Sequence, residues 1–185
     1  MGLSFKGKHP VRTKITVDNN VLEQVTTFNY LGSEIGFDDN DDVNKKLHNF
    51  QMMCGTIRRT LGKKVREETM MKFYKTMAVP VLMYGSETWV TKSQYQKRIQ
   101  SAEMKFLRYV KNYTLEDQIR NSEIRDELGI YELNERIKSN KLQWKEHVDR
   151  MPDNRIPKIT KNYRAVGKRN PGRPKKRWNE IGTGL

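Results

Sequence analysis

The chain carries one cysteine, Cys54, in 185 residues. A single thiol excludes an intrachain disulfide framework and suits a reducing compartment, nuclear or cytoplasmic. Histidine is nearly as scarce. His9, His48 and His147 are scattered, and with Cys54 they give no close set of four N or S donors, so no structural zinc or other metal site is expected. Apolar residues make up 35% of the chain, short of the usual share of about 45–50%. The core should therefore be thin, with long stretches at the surface. No apolar run approaches the ~20 residues that cross a bilayer, which argues against a membrane role. No hydrophobic stretch follows Met1–Lys6, so no signal peptide is expected. Catalytic signatures are missing too. There is no Gly-rich phosphate loop, no Gly-x-Ser-x-Gly elbow, and no apolar hairpin presenting paired aspartates to two metal ions. Asp41 and Asp42 are adjacent but lack such a hairpin.

Base is what the chain has in excess. Thirty-six Lys and Arg against 22 Asp and Glu give 36 − 22 = +14. Such an excess attracts polyanions, nucleic acid first and acidic membrane surfaces second. The charge is unevenly placed. Ten bases and no acid lie between Arg155 and Arg177. Prolines 157, 171 and 174, with glycines 167, 172, 182 and 184, argue against a long helix there. The core of this tail is Lys168, Arg169, Asn170, Pro171, Gly172, Arg173, Pro174, Lys175, Lys176, Arg177 and Trp178. Its Gly-Arg-Pro centre resembles an AT-hook, whose arginines enter the narrow minor groove of A·T-rich DNA. Pro171 stands where the leading Arg of a hook would be. General phosphate binding, nuclear import and a merely solvated charge run are the other readings of the same residues. Trp178 suits either stacking on an exposed base or pinning the tail to the body.

Hydrophobic spacing orders the rest. Residues 1–13 form a polar lead-in, and 14–37 read as two or three short strands turned at Asp18–Asn20 and ended by Gly32. Residues 38–151 read as helices. The acids at 38, 39, 41 and 42 suit a helix N-terminus better than a cation site. Val43, Leu47, Phe50, Cys54, Ile57 and Leu61 then repeat at spacings of 4 and 3 and mark one buried stripe, with Cys54 a small core residue. A second helix over 67–78 should face Met70, Phe73 and Met77 inward, with Pro80 breaking or restarting it. A third over 93–111, capped by Ser93, should bury Tyr95, Ile99, Ala102, Phe106 and Val110. Its opposite face displays Lys97, Arg98, Lys105, Arg108 and Lys111. Thr114 and Asp117 look like a capping box for a short fourth helix. A fifth, capped by Asn121 or Ser122, should end at Gly129. A sixth over 133–151 should bury Ile137, Trp144, Val148 and Met151. Residues 122–130 read either as half of a helix-turn-helix or as a plain helical corner. Arg125 and Glu135 occupy positions where such a motif wants small or apolar residues. The fold class predicted is mainly α, a helical bundle with a small N-terminal β element and a disordered basic tail over 152–185.

Several segments, in fixed order over roughly residues 11–180, resemble the C-terminal portion of LINE-type (non-LTR) retrotransposon reverse transcriptases. Val25–Ser33 looks like the primer-grip strand pair, with Phe28, Tyr30, Leu31 and Gly32 at its centre. Phe73–Thr76 leading into Pro80–Trp89 looks like the thumb signature. Glu103–Arg108 and Arg120–Arg125 are similar to the helices that follow it. Trp144–Met151, then Gly167–Arg169 and Gly172–Trp178, resemble the family's ending. The resemblance implies a primer-grip element, a helical thumb and a basic region handling RNA or DNA. It places the palm, with its Mg-binding aspartates, and an endonuclease upstream. It thus implies a truncated copy with no catalytic residue and no cofactor of its own. A thumb without its palm should expose the apolar face of 79–84 and the unpaired strand edge near Tyr30, and both should favour self-association. The alternative reading is an interaction scaffold with a nuclear-import tail.

Overall fold

Asp18 and Asn19, with φ of 48° and 63°, supply the left-handed pair that a two-residue hairpin demands. They join β1 (Thr16–Val17) to β2 (Asn20–Val21) antiparallel. The computed structural model describes residues 14–36, 41–62, 64–90, 92–164, 172, 178 and 179. A second hairpin pairs β3 (Thr27–Tyr30) with β4 (Ser33–Gly36), setting Phe28 opposite Ile35 and Tyr30 opposite Ser33. Gly32 does not end the β run, as its sequence suggests. At φ 78°, beside Leu31 at φ 49°, it makes a turn, and the strand returns. The β element therefore has four strands in two separate sheets.

Two compact units are present, Met1–Lys46 and Leu47–Leu185, and the division falls inside α1 (Asp41–Leu61). In the first unit, Asp42 fastens β4 to the opening turn of the helix. Its carboxylate accepts the Glu34 N–H at 2.9 Å and pairs with Lys46 at 3.1 Å, while Lys46 donates to Ser33 Oγ at 3.1 Å. Asp41 and Asp42 sit in the first helical turn, where the positive end of the helix dipole favours them. Residues 38–40 of the acidic cluster lie outside the described residues.

The second unit is helical. Leu47, Phe50, Cys54 and Ile57 are buried, and Gly62, at φ 55°, closes α1. Then come α2 (Glu67–Phe73), a wide π segment (Tyr74–Ala78) and α3 (Val79–Met83). Pro80 lacks an N–H, and its ring would strike the carbonyl four residues back; the widened segment before it relieves both problems. The inward face differs from the one predicted. Met70 is buried, but Phe73 and Met77 are exposed, and Met71, Tyr74 and Ala78 take their places. The reason is Tyr74, whose ring lies edge-on to Phe50 at 6.1 Å and stacks on Phe106 at 5.0 Å. The apolar stretch at 79–84 is not the exposed face expected: Val79, Leu82 and Met83 are buried, and only Pro80 and Tyr84 are well exposed.

After a 3-10 turn at Ser86–Thr88, α4 (Ser93–Lys111) buries the predicted stripe. Lys92, not Ser93, is the residue before its first turn. The expected fourth helix does not form. Asp117 accepts from Thr114 N and Oγ1 at 2.6 and 2.9 Å, but Gln118 turns to φ 52° and Leu115 has nothing to bury against. Next come α5 (Asn121–Glu127), α6 (Leu133–Asp149) and α7 (Ile156–Asn162). The tail thus begins with a short helix. On α6, Leu133, Ile137 and Val148 are buried, but Lys141 fills the place predicted for Trp144. α6 packs on the 3-10 turn and on α4, α5 on α4, and α7 on α6.

Candidate nucleic-acid interface

On α4, Lys97, Arg98, Lys105 and Arg108 lie opposite the buried stripe, since steps of 7, 8 and 3 residues return to one side of a helix. Lys97, Arg98 and Lys105 are exposed. Arg98 reaches over the Tyr95 ring at 5.8 Å. Arg108 has other work. Its guanidinium donates to Thr114 O at 3.2 Å, Ile119 O at 2.8 Å and Asn121 Oδ1 at 3.1 Å, and so holds the irregular 114–121 loop onto α4. Lys111 is bound to Glu67 and Glu127, both at 3.2 Å. Lys97, Arg98 and Lys105 are the exposed bases of this face.

In the tail, Lys158 and Lys161 are engaged on α7: Lys158 with Asp153 at 2.9 Å, and Lys161 with Asp149. Arg164 is exposed. Lys168, Arg169, Arg173, Lys175, Lys176 and Arg177 lie outside the described residues. Trp178 does not. Its indole donates to Glu87 O at 2.8 Å, beside the 3-10 turn, and Lys141 Nζ stands 5.5 Å from its ring. Lys141 is buried and donates to Trp89 O at 2.8 Å. Asn179 adds a bond to Lys161 O at 2.9 Å. The basic segment is thus bracketed by two points on the same unit, α7 before it and Trp178 after it.

The primer-grip-like residues sit in the first unit. Phe28 and Tyr30 share one face of β3, more than half exposed, with ring centroids 6.4 Å apart. Leu31 and Gly32 form the turn beside them.

Sequence reasoning passed over the interior polar residues. Glu103, fully buried on α4, accepts from Arg125 Nη2 at 2.6 Å. Burial pushes the Glu103 carboxyl up, and Arg125 pulls against that shift. The awkward Arg125 of the helix-turn-helix reading is therefore a core ion-pair partner. Its signal was available: a lone Glu on an otherwise apolar stripe. Cys54 is buried, and burial pushes its thiol up to about 12. Among the described residues no group of three His, Cys, Asp or Glu is placed to hold a metal ion, and no helix is long and apolar enough to cross a membrane.

These features define a mainly helical protein with a small β element and a basic periphery. The chain is similar to an uncharacterised transposon-derived protein of Caenorhabditis elegans, with 23% identity over 172 residues. That match covers 86% of this chain and 60% of the worm protein. No protein-family profile matches, and no solved structure matches.

Proposed function

We propose that the chain is a nucleic-acid-binding portion of a LINE-type retrotransposon reverse transcriptase, holding RNA or DNA mainly through phosphates. The observation that carries this reading is the charge placement. Ten bases without an acid occupy 155–177, and the far end of that run is fastened to the body by Trp178. The similarity to a transposon-derived protein supports the origin. In this reading Lys168, Arg169, Arg173, Lys175, Lys176 and Arg177 track a phosphate backbone, and Lys97, Arg98 and Lys105 extend the contact. Phe28 and Tyr30, with the Leu31–Gly32 turn, form a primer-grip-like platform. This reading assigns catalysis to no residue of the chain and leaves Mg²⁺ to the palm of the parent family.

A salt titration of binding to a mixed-sequence duplex and to single strands tests this. Each phosphate contact contributes about −0.7 to −0.9 to the slope of log K against log salt. Deleting residues 167–178 should flatten the slope by several units and weaken binding. Unchanged affinity and slope would remove the tail from the interface. Absence of binding at low salt would leave the scaffold with an import tail as the better account.

A further inference from the structure

Where α6 meets α7, His147, Arg150, Met151, Pro152 and Arg155 line an open cavity of about 390 Å³. We infer that this corner is a subsite for one nucleotide of a single-stranded nucleic acid, with a backbone phosphate between Arg150 and Arg155 and its base against Trp144. The inference rests on the nucleic-acid reading above and shares with it Arg155, Lys158 and Lys161 at the start of the basic run, but none of the bases from Lys168 to Arg177.

Charge is the first support. The corner's acids are already engaged, Asp149 by Lys161 and Asp153 by Lys158 at 2.9 Å, which leaves exposed Glu146 as the remaining carboxylate of the stretch. No ion pair among the described residues engages Arg150 or Arg155. A helix C-terminus ordinarily repels anions. Here Lys158 Nζ donates to Asp149 O at 3.2 Å and Met151 O at 2.8 Å, covering the carbonyl end of α6 with positive charge. Both arginines sit on hydrogen-bonded backbone. Arg150 N–H closes on Glu146 O, and Arg155 N–H closes a turn on Pro152 O, both at 3.1 Å. Two guanidinium groups suit a phosphate because each offers a planar fork of donors.

Shape is the second support. Trp144 is 39% exposed, although a large aromatic residue on this helix was expected to be buried. Its ring lies 5.3 Å from that of His147, tilted by 38°, so an aromatic ledge borders the cationic cavity. Stacking on such a ledge is available to a base in a single strand and not to one paired in a duplex. Met151 and Pro152 complete the lining with apolar surface suited to a sugar. The volume lies within the range of pockets that hold small ligands, roughly 300–1,000 Å³.

The test follows the indole N–H signals of the full chain by NMR, with Trp144→Phe to assign the Trp144 resonance. Thymidine monophosphate, a short thymidine oligonucleotide, its uridine counterpart and inorganic phosphate are titrated separately. The oligonucleotides should shift the Trp144 signal, with the mononucleotide doing so more weakly. The paired substitution Arg150→Gln and Arg155→Gln should abolish that shift and weaken oligonucleotide binding about tenfold, as loss of charge-assisted bonds does. Both arginines are exposed, so circular dichroism should be unchanged. Arg150→Lys with Arg155→Lys should keep part of the affinity. A Trp144 signal unmoved by oligonucleotides, or moved equally in the Gln variant, overturns the inference. So does a response to inorganic phosphate at the arginines with none at Trp144. If deleting 167–178 leaves affinity unchanged while the Trp144 response persists, the tail reading fails and this subsite stands.

Discussion

Arg125 and Glu103 show how one side chain can set the stability of a whole unit. Glu103 is fully buried, and its strongest partner is the Arg125 guanidinium at 2.6 Å. Removing one partner strands the other charge, a loss that typically costs about 3–5 kcal/mol. Arg125→Ala should therefore lower stability by that order in urea denaturation. The pH dependence follows from burial, which raises the Glu103 carboxyl above its ordinary value. A carboxyl raised in the folded state contributes stability that is present at low pH and lost as pH rises past the unfolded glutamate range. Arg125→Ala removes the group that opposes this shift, so its deficit should widen from acid toward neutral pH. A deficit constant across that range would contradict the assignment. Cys54 offers a second check at this scale. With its thiol pushed up to about 12 by burial, it should react with a thiol reagent only on unfolding. Reaction of the native protein at the rate of a free thiol would place Cys54 at the surface.

Among the elements, the basic tail and the N-terminal hairpins are the two whose behaviour the structure makes specific. Trp178 fastens to Glu87 O, and in the proposed interface its role is to position the bases before it. Losing such an anchor costs preorganisation, worth about 0.5–1.5 kcal/mol per side chain, without removing a phosphate contact. Trp178→Ala should weaken binding to duplex and single strand alike, about threefold to tenfold, with the salt slope preserved. Loss confined to single strands would mean that the indole stacks on a base instead. The hairpins carry a different liability. Two-stranded sheets are marginal in water and leave both edges open. Phe28, Tyr30 and Leu31 are all more than half exposed. Self-association should therefore run through this element, not through 79–84, where Val79, Leu82 and Met83 are buried. Replacing Phe28 and Tyr30 with Lys should shift sedimentation toward monomer, whereas Tyr84→Lys should leave it unchanged.

For the molecule as a whole, the expected outcome with template, primer, dNTPs and Mg²⁺ is no incorporation. Two-metal polymerisation needs paired aspartates on an apolar hairpin, and Asp41 and Asp42 instead open α1. Asp42 is further occupied by Glu34 N–H and Lys46. Template-dependent incorporation by this chain would overturn the assignment of its residues to binding alone.

The sequence by itself determined the helices whose burial depends on spacing alone. The stripes of α1 and α4 were legible because a residue repeating every three or four positions reaches the same side of any helix, whatever packs against it. It also determined the concentration of base in the tail, which needs no fold to be counted. Tertiary structure alone decided which of several equivalent residues faces inward. Tyr74 displaced Phe73 because Phe50 and Phe106 flank it from distant parts of the chain. Lys141 displaced Trp144 because Trp89 O, 52 residues away, lay within its reach. The turn at 114–121 stayed irregular because Arg108 satisfied its carbonyls without a helix. In each case the deciding partner lies outside the element it decides, and spacing along that one element holds no record of it.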